Sequence, residues 1–228
     1  MRGLGYAVGI ACLLISVVAY WEGVRFRISV VQFSPPPKGF CALDKTNPTD
    51  VEYLDGIANF AKGAGFSVMA AYADCSELAE SRKSHAFIST KVAFLRWDKT
   101  ADRPPSQFIS EACDFVRKSG FSDEQKAQTS KYLTEFSKGN SSLTDVLSLG
   151  VLDEVEGTVC YSAKLIKAKI ANTGDVTLVY LSAMTTVANQ PIMMQQWTNY
   201  VDEASIATAL ASLKTIYSDF AAANGKTN

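Results

Sequence analysis

The sequence predicts an α+β fold: a twisted antiparallel sheet flanked by helices, preceded by one N-terminal transmembrane or signal-anchor helix. Three observations predict it. A charge-free apolar run opens the chain. Segments rich in β-branched residues follow one another through hairpin-type turns in the C-terminal part. Around them lie segments with apolar residues at three- and four-residue spacing, the period of a helix packed on one face.

The opening run, LGYAVGIACLLISVVAY from Leu4 to Tyr20, carries no charged residue. As a helix it spans roughly 26 Å, and Trp21 extends it toward the ~30 Å of a hydrocarbon core. Arg2 supplies the positive start of an export signal. Tyr20 and Trp21 stand where an interfacial aromatic belt would lie. The expected division is residues 1–22 as anchor, 23–38 as stalk strand and Pro-rich connector, and 39–228 as the globular domain. Val17-Val18-Ala19 offers a cleavage site near Ala19, and cleavage would release the domain into the periplasm. The bulky Tyr20 and Trp21 beyond it favour an uncleaved anchor. Arg25, Arg27 and Lys38 argue by the positive-inside rule for a cytoplasmic domain, whereas the cysteines argue for export. Gly5 and Gly9 give the small-x-x-x-small spacing that lets membrane helices approach closely.

Val24 to Val30 alternates apolar and polar and reads as a strand. Pro35-Pro36-Pro37-Lys38-Gly39 is a stiff connector. Phe40 to Leu43 reads as a short strand. Thr49 or Asp50 is expected to cap a helix that runs to about Lys62, stopped by Gly63-Ala64-Gly65. Phe66 to Ala73 reads as a buried strand, Ser76 to Arg82 as a short helix, and His85 to Trp97 as β-rich. A helical pair follows: Pro104 or Pro105 to Val116, then Ser122 to Phe136. The last part reads as a three-strand meander: Val159 to Ile170, Val176 to Thr186 and Ile192 to Val201. Its turns lie at Asn172-Thr173-Gly174-Asp175 and Asn189-Gln190-Pro191. Asp202 is expected to cap a final helix with Ile206, Leu210, Leu213, Ile216, Tyr217 and Phe220 on one face, fraying at Asn224-Gly225.

Of five cysteines, Cys12 lies in the apolar run. Cys41, Cys75, Cys113 and Cys160 remain, and none forms a C-x-x-C pair. Four cysteines allow three pairings; the favoured one is Cys41–Cys75 with Cys113–Cys160. Such bridges belong to an oxidising compartment.

The chain has 22 basic and 23 acidic residues, a net charge of −1, and no long block of one sign. Nucleic-acid binding therefore has no electrostatic basis. The only histidine, His85, follows Ser84 without a nucleophile-elbow motif and reads as a surface loop residue. No phosphate-loop or dinucleotide motif occurs, and no cofactor or metal is implied. Asp153, Glu154 and Glu156 form an acidic cluster read as a solvated approach to a strand. Asp44, Asp50, Asp55 and Asp74 are carboxylates that a fold might gather. Asp74 with Glu77 is the best pair for carboxylate hydrolysis. Tyr72, Trp97, Tyr161, Tyr180, Trp197 and Tyr200 are the aromatic candidates for a binding groove. Asn140-Ser141-Ser142 fits a glycosylation sequon.

Two stretches, Pro37-Lys38-Gly39-Phe40-Cys41-Ala42-Leu43-Asp44 with Asn47-Pro48 and Val68-Met69-Ala70-Ala71-Tyr72-Ala73-Asp74-Cys75-Ser76-Glu77-Leu78, resemble a family of exported bacterial proteins of unknown function. The close, Trp197 to Tyr200 with Asp202 and a helix to Asn224, resembles it too. The layout of the C-terminal part is similar to the PsbP-like and DcrB-like α/β sandwich fold. That resemblance implies an assembly, docking or accessory role without catalysis. The expected function is a non-enzymatic accessory or binding domain tethered to the inner membrane, facing the periplasm, with the lipid bilayer as one partner. The alternatives are a subunit of a larger membrane complex, and a carboxylate-based hydrolase.

Overall fold

The computed structural model describes residues 31–32, 35–98, 103–118, 123–136, 141–171 and 173–225. The expected anchor with Leu4, Gly5, Gly9, Tyr20 and Trp21, the strand expected over Val24–Val30, and the Asn140 sequon residue lie outside them. Among the described residues, no helix is long and apolar enough to cross a membrane.

The elements in chain order are β1 (Phe40–Ala42), α1 (Pro48–Gly63), β2 (Phe66–Asp74), α2 (Cys75–Ser84), β3 (Lys91–Trp97), α3 (Pro105–Lys118) and α4 (Asp123–Phe136). They continue as β4 (Ser141–Val155), β5 (Val159–Ile170), β6 (Gly174–Val187), β7 (Gln190–Asn199) and α5 (Glu203–Ala223). The strands form one open sheet in the order β1-β2-β3-β7-β6-β5-β4. Every neighbouring pair is antiparallel. The fold is thus α+β, with its helices outside a seven-stranded sheet.

Local chemistry sets the element ends. Asn47, not Thr49 or Asp50, caps α1, because its side chain accepts from the Thr49 and Asp50 amides. Pro48 takes the first helical position, where no amide is needed. His85 ends α2 in the left-handed region at φ 55°, so residues 85–90 are irregular and β3 starts only at Lys91. Ala188 and Asn189 both take positive φ, the two-residue hairpin geometry that suits strand twist. The β6–β7 turn therefore precedes Gln190 and Pro191. Pro191 lies in β7 before its pairing with β3 begins at Ile192, so its missing amide costs no bond to that neighbour. Asp202 caps α5, its carboxylate accepting from the Ser205 amide at 3.1 Å.

The largest correction is β4. The acidic segment read as an approach loop is the end of a 15-residue edge strand, so the meander has four strands. Register shifts at Leu143/Asp145, Ser148/Gly150 and Val151/Asp153 break its alternation. Each inserted residue moves the following side chains to the other face, so period two is lost from the sequence. Gly157, at φ 65°, turns β4 into β5. A Cβ there would come within 2.8 Å of Ser106 Cβ at the start of α3.

α5 covers one face of the sheet with Leu213, Ile216 and Phe220 buried. Phe220 packs on Phe94, ring centroids 5.3 Å apart. On the other face, Ile57 and Ala61 of α1 meet Ala93, Leu95 and Met193. Ile109 and Cys113 of α3 meet Cys160. Each fully buried leucine, isoleucine or phenylalanine among them contributes ~1.5–3 kcal/mol by leaving water. α4 lies against β4 and α1. At the chain's entry, the Gln32 amide donates to Asn224 Oδ1 and Asn224 Nδ2 donates to the Gln32 carbonyl, both at 2.8 Å.

Candidate functional site

Strand register builds the site. Lys91 of β3 stands opposite Trp197 of β7, Trp197 opposite Tyr180 of β6, and Tyr180 opposite Lys164 of β5. Residues directly opposite share a sheet face, so the four form one rank with a lysine at each end. The Tyr180 and Trp197 rings meet edge to face, centroids 4.7 Å apart. Lys91 Nζ lies 5.3 Å from the Trp197 centroid and 5.2 Å from that of Phe87. Lys164 Nζ lies 5.9 Å from the Tyr180 centroid. These are cation–π distances, worth ~0.5–2 kcal/mol depending on desolvation.

The Lys91 ammonium is poorly served by hydrogen bonds. It has three donors, and among the described residues it donates to the Ile88 carbonyl at 3.3 Å. Burial pushes its pKa down to about 8, with the negative Glu77 acting in the opposite sense. Burial also lowers the pKa of Lys164 and raises that of Tyr180. Beside Lys91 lies a cavity of about 100 Å³, whose lining includes Ile57, Phe60, Ile166, Leu178 and Trp197.

A second, polar cleft of about 500 Å³ lies on the α5 side, with Asp74, Gln196, Thr198, Asp202 and Ser212 in its lining. Gln196 is 4% exposed. Its Nε2 donates to Ser212 Oγ at 3.2 Å, while its Oε1 is buried with no partner among the described residues.

Of the aromatic candidates, the structure brings together Tyr180 and Trp197. Tyr72 packs edge-on to Phe94 and Tyr161 edge-on to Tyr217 of α5, both on the opposite face. Trp97 stacks between Phe66 and Phe108. Tyr200 follows β7, its amide bonded to the Thr177 carbonyl.

The carboxylates are spread among separate structural tasks. Asp50 is fully buried in α1 and pairs with Arg82 of α2, whose hydrogen bond holds the Asp50 carboxyl below its usual range. Asp50 also accepts the Asp44 amide at 2.7 Å, so Asp44 and Asp50 do meet. Asp55 is exposed on α1. Asp74 caps α2, accepting from the Ser76 and Glu77 amides. The side-chain hydrogen bond from Ser76 leads the causes that lower its pKa. Glu77 accepts from both the amides and the hydroxyls of Ser89 and Thr90, at 2.6 to 2.9 Å. Asp153 pairs with Lys214 and Glu154 with Arg117. Glu156 lies exposed in the β4–β5 turn, and His85 is an exposed helix cap. Among the described residues, no three His, Cys, Asp or Glu side chains are grouped to hold a metal.

The structure joins Cys41 to Cys75, Cα atoms 5.0 Å apart, and Cys113 to Cys160, 5.7 Å apart. The first ties the edge strand β1 to the first residue of α2 and is partly exposed. The second ties α3 to β5 and is buried, at 1% and 3% exposure. Two bridges fit a domain outside the reducing cytoplasm.

Sequence reasoning missed Lys91, Lys164, Phe87 and Gln196. The available signal was the run Ser-Thr-Lys-Val-Ala-Phe-Leu, where Lys91 shares its alternation phase with Ala93 and Leu95.

No protein-family model matches the chain, and no curated protein matches it. Among solved structures, the chain is similar to the solution structure of cyanobacterial PsbP (CyanoP) from Synechocystis sp. PCC 6803. The identity is 14%, the match covers 80% of this chain and 81% of that chain, and the TM-score is 0.36.

Proposed function

We propose that this chain is a non-enzymatic accessory or binding domain, held at the inner membrane by its N-terminal segment and facing the periplasm. The observation that carries the binding part is Lys91: a desolvated ammonium set beside an apolar cavity, with Trp197 and Phe87 at cation–π distance. A fold made only for stability gains nothing from a lysine there, because an apolar side chain of the same length would avoid the desolvation cost. The two bridges support the address.

Two measurements test this reading. A reporter fused after Asn228 is expected to signal from outside the cytoplasm; a cytoplasm-only signal overturns the address. A ligand-observed magnetic-resonance screen of small charged and neutral compounds is expected to yield binders that compete for one site, lost when Leu178→Phe fills the cavity. A screen without a cavity-dependent binder overturns the binding role.

A second reading, a subunit of a larger membrane complex, is favoured by the edge strand β4. It exposes Leu147 and Val155 at 56% each, beside backbone groups that pair with no other strand on that side among the described residues. Purification in mild detergent as a partner-free monomer counts against it.

A further inference from the structure

We infer that the cavity beside Lys91 takes a small monoanion with an apolar body, a carboxylate carried on a short alkyl chain or a single aromatic ring. Its carboxylate would sit at Lys91 Nζ and its body against Trp197, Ile166 and Leu178. This assignment rests on the binding role proposed above and names its ligand class.

Charge gives the sign. Lys91 has no carboxylate in ion-pair contact among the described residues. Glu77, the acid that influences it, has its oxygens committed to Ser89 and Thr90. An arriving carboxylate would fill the ammonium's remaining donors with charge-assisted hydrogen bonds, roughly twice as strong as neutral ones. The lining gives the body. Most of the lining is apolar, Ile57, Phe60, Ile166 and Leu178 among it, with Thr129 and Gln195 as its polar side chains beside Lys91, so most hydroxyls of a sugar or polyol, or a second charged group, would be buried unpaired. Size sets the limit. An apolar cavity of ~150 Å³ holds benzene, and this one is about 100 Å³. The enclosed part of the body is therefore smaller than a benzene ring: a short alkyl chain fits inside, and an aromatic ring would leave part of itself at the open side. The rings of Trp197 and Phe87 already lie against the cation, which holds the ammonium in place before the ligand arrives.

The test compares pairs that differ only in charge: pentanoate with pentanamide, and benzoate with benzamide, titrated into the full chain in neutral detergent. The carboxylates are expected to bind at least tenfold tighter than the amides. Lys91→Met, which keeps the length of the side chain, is expected to abolish or reverse that preference while the melting temperature holds or rises. Nuclear Overhauser contacts from pentanoate protons to the Trp197 indole are expected to locate the ligand. Amides binding as well as carboxylates, a carboxylate preference that survives in Lys91→Met, or contacts confined to another site each overturn the assignment. Tight amide binding at the cavity would sink the ligand class and leave the binding role standing. Absence of binding by all four compounds, together with a blank screen, would sink both.

Discussion

Tyr180 and Trp197 face each other edge-on across β6 and β7, and each carries a lysine ammonium against its outer side, Lys164 on Tyr180 and Lys91 on Trp197. Four adjacent strands thus present cation, ring, ring, cation in one row. The row depends on register: a slip of one residue in any strand would turn that strand's member to the opposite face.

Lys91 gives a pH signature of stability. Its pKa falls from 10.5 to about 8 in the folded protein, so below pH 8 both states bind the proton and the folded state bears the full desolvation cost. Between pH 8 and 10.5 only the unfolded state binds it, and stability rises with pH. Lys91→Met is expected to be more stable than the parent at pH 7, by at most about 3 kcal/mol. That advantage should shrink steadily as pH rises through this window. Urea denaturation of both proteins from pH 7 to 10.5 measures it; a constant difference would show that Lys91 is not desolvated.

The Asp50–Arg82 pair makes the opposite kind of prediction. Asp50 is held ionised at 0% exposure while the Arg82 side chain keeps 36%. Arg82→Leu leaves a buried carboxylate supported by the Asp44 amide, and should cost about 2–3 kcal/mol. This is less than the ~3–5 of a wholly buried pair, because Arg82 keeps one edge in water. The pair's contribution is present above pH ~4 and is lost as acid titrates Asp50 through its lowered folded pKa. The stability deficit of Arg82→Leu against the parent should therefore shrink as pH falls below ~4.

The two bridges should differ in access. They close chain separations of 34 and 47 residues, so loop-closure entropy gives each about 4 kcal/mol. Cys41–Cys75 is partly exposed, whereas Cys113 and Cys160 are sealed. Limited treatment with a dithiol, alkylation and peptide mapping should find Cys41 and Cys75 modified first. Cys41→Ser and Cys75→Ser should lower the melting temperature equally and without additivity. Additive losses would show two independent thiols.

Glu77 holds residues 89 and 90 by four hydrogen bonds, just before Lys91. The two amides share one Glu77 oxygen and the two hydroxyls the other, so Glu77→Gln keeps one acceptor oxygen without its charge and sets an amide donor where the hydroxyls now donate. A loss of about 2 kcal/mol is expected, with faster amide exchange confined mainly to Ile88, Ser89 and Thr90. Unchanged exchange at those amides would show that the clamp is dispensable.

Most helices and the β5–β6–β7 meander were legible because each carries its own period and its own stop. Asp202 before α5 and Gly174 at its hairpin are local signals. β4 was illegible because its three register shifts erase alternation, and its acidic residues look like a loop until Lys214 and Arg117 are seen beside them. The candidate site was half legible. Tyr180 and Trp197 were recognised as groove-capable rings, but no spacing in the chain brings Lys91 to Trp197. That meeting is a product of strand order, in which β7 inserts between β3 and β6.

Gln32 and Asn224 are bound to each other by two hydrogen bonds, one in each direction. Mechanically this is a clamp at the point where a pull on the N-terminal side enters the domain. The load reaches the last turn of α5, whose Phe220 is keyed into Phe94, before it reaches β1. The three residue pairs joining β1 to β2 would otherwise open one after another like a zipper. Tension that passes the clamp then meets the covalent Cys41–Cys75 link, beyond which the edge strand cannot peel. Force entering through Gln32 would therefore load α5 and the Cys41–Cys75 link before it could open β1.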